Sequence, residues 1–285
     1  MRIHFTKMHG LGNDFMVIDA VRQDVHITSD MVQAWGDRHF GIGFDQLLIV
    51  EPPTRPEVSF RYRIFNADGD EVEQCGNGAR CFAAFVAREG LTSSSVISVE
   101  TAGGIIELHL QDDGMVRVNM GVPRLQPTDV PFKAENFQPL YRVTLDDDPE
   151  HSVELSAVSM GNPHAVLLVD DVDSGLVPVL GPLLESHEAF PARVNVGFLQ
   201  IINRQVGRLR VYERGVGETL ACGSGACAAM VAARLQNKLD THATLQLNGG
   251  ELTLSWAGEG HPVYMTGPAT FVFDGTVDWE EGQDG

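Results

Sequence analysis

The chain has 285 residues, 43% of them hydrophobic and 21% charged, enough to bury a substantial core and to make two domains. Its formal net charge of −19 argues against nucleic acid or membrane as a partner, since phosphate backbones and anionic lipid are met by clustered Lys and Arg. The start, MRIHFTKMHGLGNDF, lacks the apolar run of a signal peptide and no later stretch approaches the roughly 18 apolar residues of a membrane span, so a cytoplasmic location is expected.

In chain order, the first clear strand is VSFRYRIF, where Val58, Phe60, Tyr62 and Ile64 alternate with Ser59, Arg61 and Arg63. It leads into QCGNGARC (Gln74–Cys81) and an Ala-rich helix, GARCFAAFVAREG, with so little polar interruption that burial nearly all round is expected. SVETAGGIIELHL then reads as two strands about Gly103-Gly104, followed by VRVNMG. The Pro-rich run GVPRLQPTDVP, Gly121 to Pro131, is the candidate join. Beyond it the order repeats: RLRVYE with Leu209, Val211 and Glu213 in alternation, ACGSGAC (Ala221–Cys227), the helix GACAAMVAARLQN, LQLNGGELTLSW about Gly249-Gly250, and VYMTG.

Cys75 and Cys222 stand 147 residues apart (222 − 75), and Gly103 and Gly249 stand 146 apart (249 − 103). Two blocks with nearly one offset argue for an internal duplication. The expected fold class is α+β. Two pseudo-symmetric domains each wrap a mostly antiparallel sheet around a central buried helix, with the active site in the cleft between them. The expected boundaries are 1–121, 122–273 and an acidic tail, 274–285; the tail and Asp146–Glu150 read as solvated loops.

All four cysteines lie in the two repeated motifs. Cys81 and Cys227 fall inside apolar helices and read as ordinary buried thiols. Cys75 and Cys222 each stand where a strand ends and a helix begins, a position that lowers a thiol pKa and binds anions through unpaired backbone N–H groups. A four-cysteine zinc site and a redox disulfide compete with this reading. The spacings, six and five residues within the pairs, suit neither a zinc knuckle nor a C-x-x-C motif. The functional reading is an acid/base pair: inversion of a carbon needs a proton taken from one face and another delivered to the opposite face. No metal motif is visible, and Lys7, Lys133 and Lys238 sit in no obvious cofactor-anchoring context.

At this point the sequence resembles the diaminopimelate epimerases along nearly its whole length. The shared elements occur in order: KMHGLGNDF (Lys7–Phe15), GFDQ (Gly43–Gln46), FNADG (Phe65–Gly69), CGNGARC, GNPH (Gly161–His164), VNVGF (Val194–Phe198) and YERGVGETLACGSGACA (Tyr212–Ala228). The resemblance implies a cofactor-independent isomerase interconverting the L,L and meso forms of 2,6-diaminoheptanedioate in lysine biosynthesis. It gives the base and acid roles to Cys75 and Cys222, and it implies a final strand packed on the first domain. By the same analogy Asn13, Asn66, Asn162 and Asn195 read the non-reacting centre, and Arg214 pairs with its carboxylate. Glu213, Gln46 and His164 hold the ammonium and orient the cysteines, while Gly76-Asn77 and Gly223-Ser224 offer backbone N–H groups to the reacting carboxylate. Ser224 stands where the common family pattern has Thr, and it keeps both the hydroxyl and the backbone donor. Family habit suggests a homodimer.

Each residue also has a plainer role open to it. Asn13, Asn66 and Asn162 fit turns, Glu213-Arg214 fits a surface pair, and His164 fits a structural histidine. The rival enzymes are a proline racemase or hydroxyproline epimerase and a phenazine-type isomerase. From another class, a thiol- or metal-binding module would account for the cysteines alone.

Overall fold

The structure, a computed structural model, describes residues 1–72, 75–145 and 151–279. Two compact units are present: Met1–Val118 with the chain from Gly267 onward, and Asn119–Thr266. The acidic stretch Asp146–Glu150 and the tail beyond 279 lie outside the described residues.

The first unit contains β1 (Arg2–Gly10), β2 (Asn13–Asp19), α1 (Ser29–Gly36), β3 (Gln46–Glu51), β4 (Phe60–Asn66), β5 (Glu71–Val72), α2 (Gly76–Arg88), β6 (Val96–Thr101), β7 (Gly104–Leu110) and β8 (Val116–Asn119). Antiparallel pairs join β1 to β2, β3 to β4, β4 to β5, β6 to β7 and β7 to β8. Two pairs are parallel, β2 with β3 and β4 with β6. A parallel pair cannot be closed by a tight turn, so each requires a crossover. The first crossover carries α1 and the second carries α2.

The second unit repeats this plan with β9 (Tyr141–Thr144), β10 (Ser152–Ser159), β11 (Pro163–Leu168), α3 (Val177–Glu185), β12 (Asn195–Asn203), β13 (Val206–Glu213), β14 (Gly217–Thr219), α4 (Gly223–Leu235), β15 (His242–Leu247), β16 (Gly250–Trp256) and β17 (Val263–Gly267). β11 runs parallel to β12 and β13 to β15, again across helices; the other pairs are antiparallel. The duplication inferred from motif spacing is therefore visible strand by strand.

Three features differ from the sequence-based expectation. Each unit has a second helix where one was expected. α1 is capped by Thr28 Oγ1, which accepts from Met31 N at 3.4 Å, and it buries Met31, Val32 and Trp35 against Leu47, Ile49 and Phe65. α3 buries Val177 and Leu184 against Phe190, Val196 and Phe198. These helices have eight and nine residues, and α3 contains Pro182, so neither carries a long apolar period.

Second, the units part after Val118 and again after Thr266, rather than at 121/122 and 273/274. Third, Asp274 to Asp278 are not a loop, although the Asp274 and Asp278 side chains stay exposed. They belong to β18 (Thr270–Asp278), which pairs antiparallel with β1 as β9 does with β10. The ladder supplies β1 with an outer neighbour that it would otherwise lack. Asp274 accepts from Arg88 Nη2 at 2.6 Å, and Asp278 accepts from Arg2 Nε at 2.9 Å.

The two central helices are buried as expected. α4 hides every residue from Ala226 to Ala233, and α2 buries Ala79, Phe82, Phe85 and Val86. Cys81 and Cys227 lie within these faces, and burial pushes the Cys81 thiol up to about 12. Among the described residues no helix is long and apolar enough to cross a membrane.

The start of α2 is packed to its limit. A Cβ on Gly78 would lie 2.4 Å from Tyr62 Oη and 3.2 Å from Leu48 Cδ2, whereas one on Gly197 in β12 would meet nothing nearer than 3.6 Å. Gly78→Ala is expected to cost about 1–3 kcal/mol of stability, the usual range for an overpacked core, and Gly197→Ala to be close to neutral. Urea denaturation checks this; coincident midpoints for the two variants would show that Tyr62 moves aside freely.

Candidate active site

The two cysteines occupy the same local structure. Cys75 is the N-cap of α2 and Cys222 the N-cap of α4, both in extended backbone conformation. Each gives its carbonyl to the first helical bond, from Ala79 N at 2.8 Å and Ala226 N at 2.9 Å. Neither helix has a side-chain capping bond of the kind a Ser or Asp would supply, although the Gly225 N–H favours the Cys222 thiolate. The first-turn N–H groups at Gly76-Asn77 and Gly223-Ser224 are donors of the kind a helix start offers to an anion.

The remaining residues come from matching element ends. Asn13 opens β2 and Asn162 precedes β11; Gln46 opens β3 and Asn195 opens β12; Asn66 closes β4 and Glu213 closes β13. Gln46 stands opposite Asn66 in the β3–β4 ladder. Alternation along β13 buries Leu209 and Val211 and carries Glu213 inward in the same sense, which is why a carboxylate reaches the cysteine.

In the first unit the contacts are mostly amide to amide. Cys75 Sγ donates to Asn13 Oδ1 at 3.6 Å, and Asn77 Nδ2 donates to the same oxygen at 3.3 Å. Asn13 Nδ2 donates to Asp45 Oδ2 at 3.0 Å. Gln46 Nε2 donates to Asn66 Oδ1 at 2.9 Å, while Gln46 Oε1 is buried without a hydrogen-bond donor. Tyr62 Oη reaches the Cys75 carbonyl at 3.5 Å, and burial, reinforced by the two nearby cysteines, holds the phenol well above its ordinary range.

In the second unit titratable groups replace amides. Cys222, 5% exposed, donates to Glu213 Oε2 at 3.1 Å, and Thr219 Oγ1 steadies the other carboxylate oxygen at 2.5 Å. Burial first, and then the Glu213 charge, holds the Cys222 thiol well above its ordinary value, so it is protonated at neutral pH. Ser224 Oγ lies 3.6 Å from Cys222 Sγ and accepts from Asn162 Nδ2 at 3.4 Å. Asn162 Oδ1 in turn accepts from His164 Nε2 at 3.0 Å, which fixes the proton on that nitrogen. Buried and near the Arg214 charge, His164 is pushed down to about 3 and is neutral.

Arg214 is exposed at the β13–β14 turn, and the turn is built around it. Arg214 N donates to Asn195 Oδ1 at 3.0 Å, Asn195 Nδ2 to Pro163 O at 3.1 Å, and Gly215 N to the buried Glu185 at 2.9 Å. Asn195 thus uses one donor and one acceptor of its amide on the loop. Arg214 Nη1 reaches Ala192 O at 2.9 Å.

Within the first unit the structure brings Cys75, Asn13 and Asn77 together, with Gln46 and Asn66 as a pair. Within the second it links Cys222, Glu213, Ser224, Asn162 and His164, and joins Asn195 to Arg214. Sequence reasoning passed over Asp45, Thr219, Glu185 and Arg80. Asp45 and Arg80 lie inside the quoted motifs GFDQ and CGNGARC, and a charge inside an otherwise apolar helix was the available signal. Among the described residues no group of three or more His, Cys, Asp or Glu is placed to hold a metal ion.

A sequence model described as diaminopimelate epimerase matches residues 5–126 and 156–272. The diaminopimelate epimerase of Ectopseudomonas mendocina is 61% identical over 277 residues, spanning 97% of this chain and 99% of that one. Two solved structures share the fold at low identity. A phenazine biosynthesis protein from Bacillus anthracis has a TM-score of 0.68 at 15% identity over 98% of this chain and 100% of that one. A hydroxyproline epimerase from Agrobacterium vitis has a TM-score of 0.68 at 14% identity over 97% and 92%.

Two pH effects follow from this geometry. Glu213→Gln removes the negative charge beside Cys222, so the pH midpoint for alkylation of Cys222 should move down; an unmoved midpoint would show that burial alone sets it. The unfolded chain protonates His164 near 6.5 and the folded chain only near 3, so the unfolded state binds more protons between these values and stability falls as pH drops. From pH 7.5 to 5.0 the native protein should lose about 2 kcal/mol more than His164→Gln, at ~1.4 kcal/mol per pH unit below the unfolded pKa. Equal losses in denaturant titrations would refute the assignment.

Proposed function

Because the chain belongs to the diaminopimelate epimerase family and is an isomerase of lysine biosynthesis, we propose that it inverts one α-carbon of diaminopimelate with Cys75 and Cys222 as a two-thiol acid/base pair, without a cofactor. The observation that carries this reading is the repeated construction: two cysteines capping two helix starts, each sulfur hydrogen-bonded to a side-chain oxygen.

In the forward direction one cysteine, as thiolate, takes the α-proton and becomes a thiol. The other, as thiol, gives its proton to the opposite face and becomes a thiolate, so charge and protons balance over the turnover. The carboxylate next to the reacting carbon gains enolate character when the proton leaves. Backbone N–H groups of Gly76-Asn77 and Gly223-Ser224 then stabilise a charge that is larger in the transition state than in the substrate. Glu213, 3.1 Å from Cys222, is placed to orient that thiol and to hold an ammonium. Neutral His164 acts through Asn162 on Ser224. The buried Oε1 of Gln46 offers an acceptor to the substrate's ammonium. Arg214 supplies a planar fork for the distal carboxylate, with Asn13, Asn66, Asn162 and Asn195 reading the same centre. Proline lacks that second head, which favours diaminopimelate over the racemase reading. A homodimer in the cytoplasm completes the proposal, on family habit and composition.

Proton NMR of L,L-diaminopimelate with reduced protein in D2O, without added metal or pyridoxal phosphate, tests the reaction. The expected result is the meso isomer with deuterium at the inverted carbon. No exchange with folded, reduced protein would turn attention to proline and hydroxyproline. Cys75→Ala and Cys222→Ala should each lower turnover by about a thousandfold, within the usual effect of deleting an acid/base group, while circular dichroism stays native. Near-normal turnover in either variant would remove that cysteine from the mechanism.

A further inference from the structure

Arg80 lies in the second turn of α2 and is 0% exposed, the largest fully buried side chain among the described residues. The corresponding position of α4, 147 residues on (227 − 80), is Cys227, so the second helix does without it. Its guanidinium donates from Nη2 to Asn77 Oδ1 at 2.9 Å, from Nε to Pro268 O at 3.0 Å and from Nη1 to Gly76 O at 3.5 Å. Gly10 of β1 leaves room for it: a Cβ there would come within 3.0 Å of Nη2.

A guanidinium can only donate, so the atom of Asn77 that faces it must be the amide oxygen. That choice aims Asn77 Nδ2 at Asn13, whose oxygen accepts at 3.3 Å. At the other end Asp45 can only accept, and it takes Asn13 Nδ2 at 3.0 Å while being held by Arg38 Nη2 at 2.7 Å. A donor-only group and an acceptor-only group thus bracket two reversible amides and give the chain one direction, Arg80 to Asn77 to Asn13 to Asp45. Its consequence at the sulfur is that Cys75 meets an amide oxygen, at 3.6 Å. In the second unit the corresponding chain runs the other way, from His164 through Asn162 to Ser224.

We propose that Arg80, with Asp45, is a positioning residue for the Cys75 half of the site: it fixes which ends of Asn77 and Asn13 are donors, so that a carboxylate meets N–H from Asn77 and the thiol meets oxygen from Asn13. This rests on the proposed epimerase reading for its kinetic part only. The state of Cys75 is measured without substrate.

The test compares Arg80→Met, Arg80→Lys and Asp45→Asn with the wild type. Lysine is also donor-only and keeps the direction; methionine abandons it while filling similar space. Arg80→Met should lower kcat/KM for diaminopimelate by roughly tenfold or more, the effect of one misdirected site hydrogen bond, with KM raised because carboxylate binding is weakened. Arg80→Lys should recover most of that loss. Combining Asp45→Asn, whose side chain at 46% exposure leaves no cavity, with Arg80→Met leaves neither end to set the direction, so Asn13 can turn its Nδ2 to the sulfur and the pH midpoint of Cys75 alkylation, read by peptide mass spectrometry, should fall below that of either single variant. The proposal is overturned if folded Arg80→Met keeps wild-type kinetics, or if Arg80→Lys recovers none of the loss. Should Arg80→Met not fold, Arg80→Gln, whose amide can donate or accept, takes its place in both readouts, and an unmoved Cys75 midpoint in Arg80→Gln/Asp45→Asn overturns it. A wild-type protein inactive on diaminopimelate would refute the functional reading and leave the alkylation result to decide the positioning of Asn13.

Discussion

The start of an α-helix leaves backbone N–H groups without intrahelical partners, and the rest of this structure depends on how that is handled. At both central helices the cap residue is a cysteine, whose sulfur bonds to an oxygen brought by another element: Asn13 in one unit and Glu213 in the other. Glycines at 76, 78, 223 and 225 keep the first turn slim, and the cost of that slimness is visible at Gly78, where there is no room for a methyl group beside Tyr62. Each helix start thus brings first-turn N–H groups and a thiol to one place.

The two units share one strand order but not one electrostatic design. Where the second unit has His164 and Glu213, the matching ladder positions of the first hold Phe15 and Asn66. Where the first has a buried guanidinium, the second has Cys227. One cysteine therefore sits among directed amides bounded by fixed charges, and the other beside a carboxylate that raises its proton affinity. The two sulfurs are therefore unlike before any ligand is bound.

The loops that carry the candidate residues are themselves stabilised by residues of the same set. Asn195 binds both Pro163 O and Arg214 N, so the arginine turn and the Asn162–His164 segment are tied through one amide. Asp45 does comparable service for Asn13. A residue that shapes a loop and a residue that reads a ligand are not alternatives here, because an amide has donors and acceptors enough for both.

Much of this was legible in the sequence. Alternation in VSFRYRIF and RLRVYE located β4 and β13, the Gly-Gly pairs located two hairpins, and offsets of 147 and 146 residues established the repeat before any strand was paired. Those signals are local, or are repetitions of local signals, and a period of two or a glycine at a turn acts within a few residues. The short helices α1 and α3, the register of β18 on β1 and the ordering of Asp274 to Asp278 were not legible in the patterning, because each is stabilised by partners far away in the chain; only the family resemblance put a last strand on the first unit. The cysteines announced themselves by their motif. Which oxygen each sulfur meets, and the direction that Arg80 gives to Asn77 and Asn13, came only from the tertiary structure, because a hydrogen bond's direction depends on what stands at both of its ends.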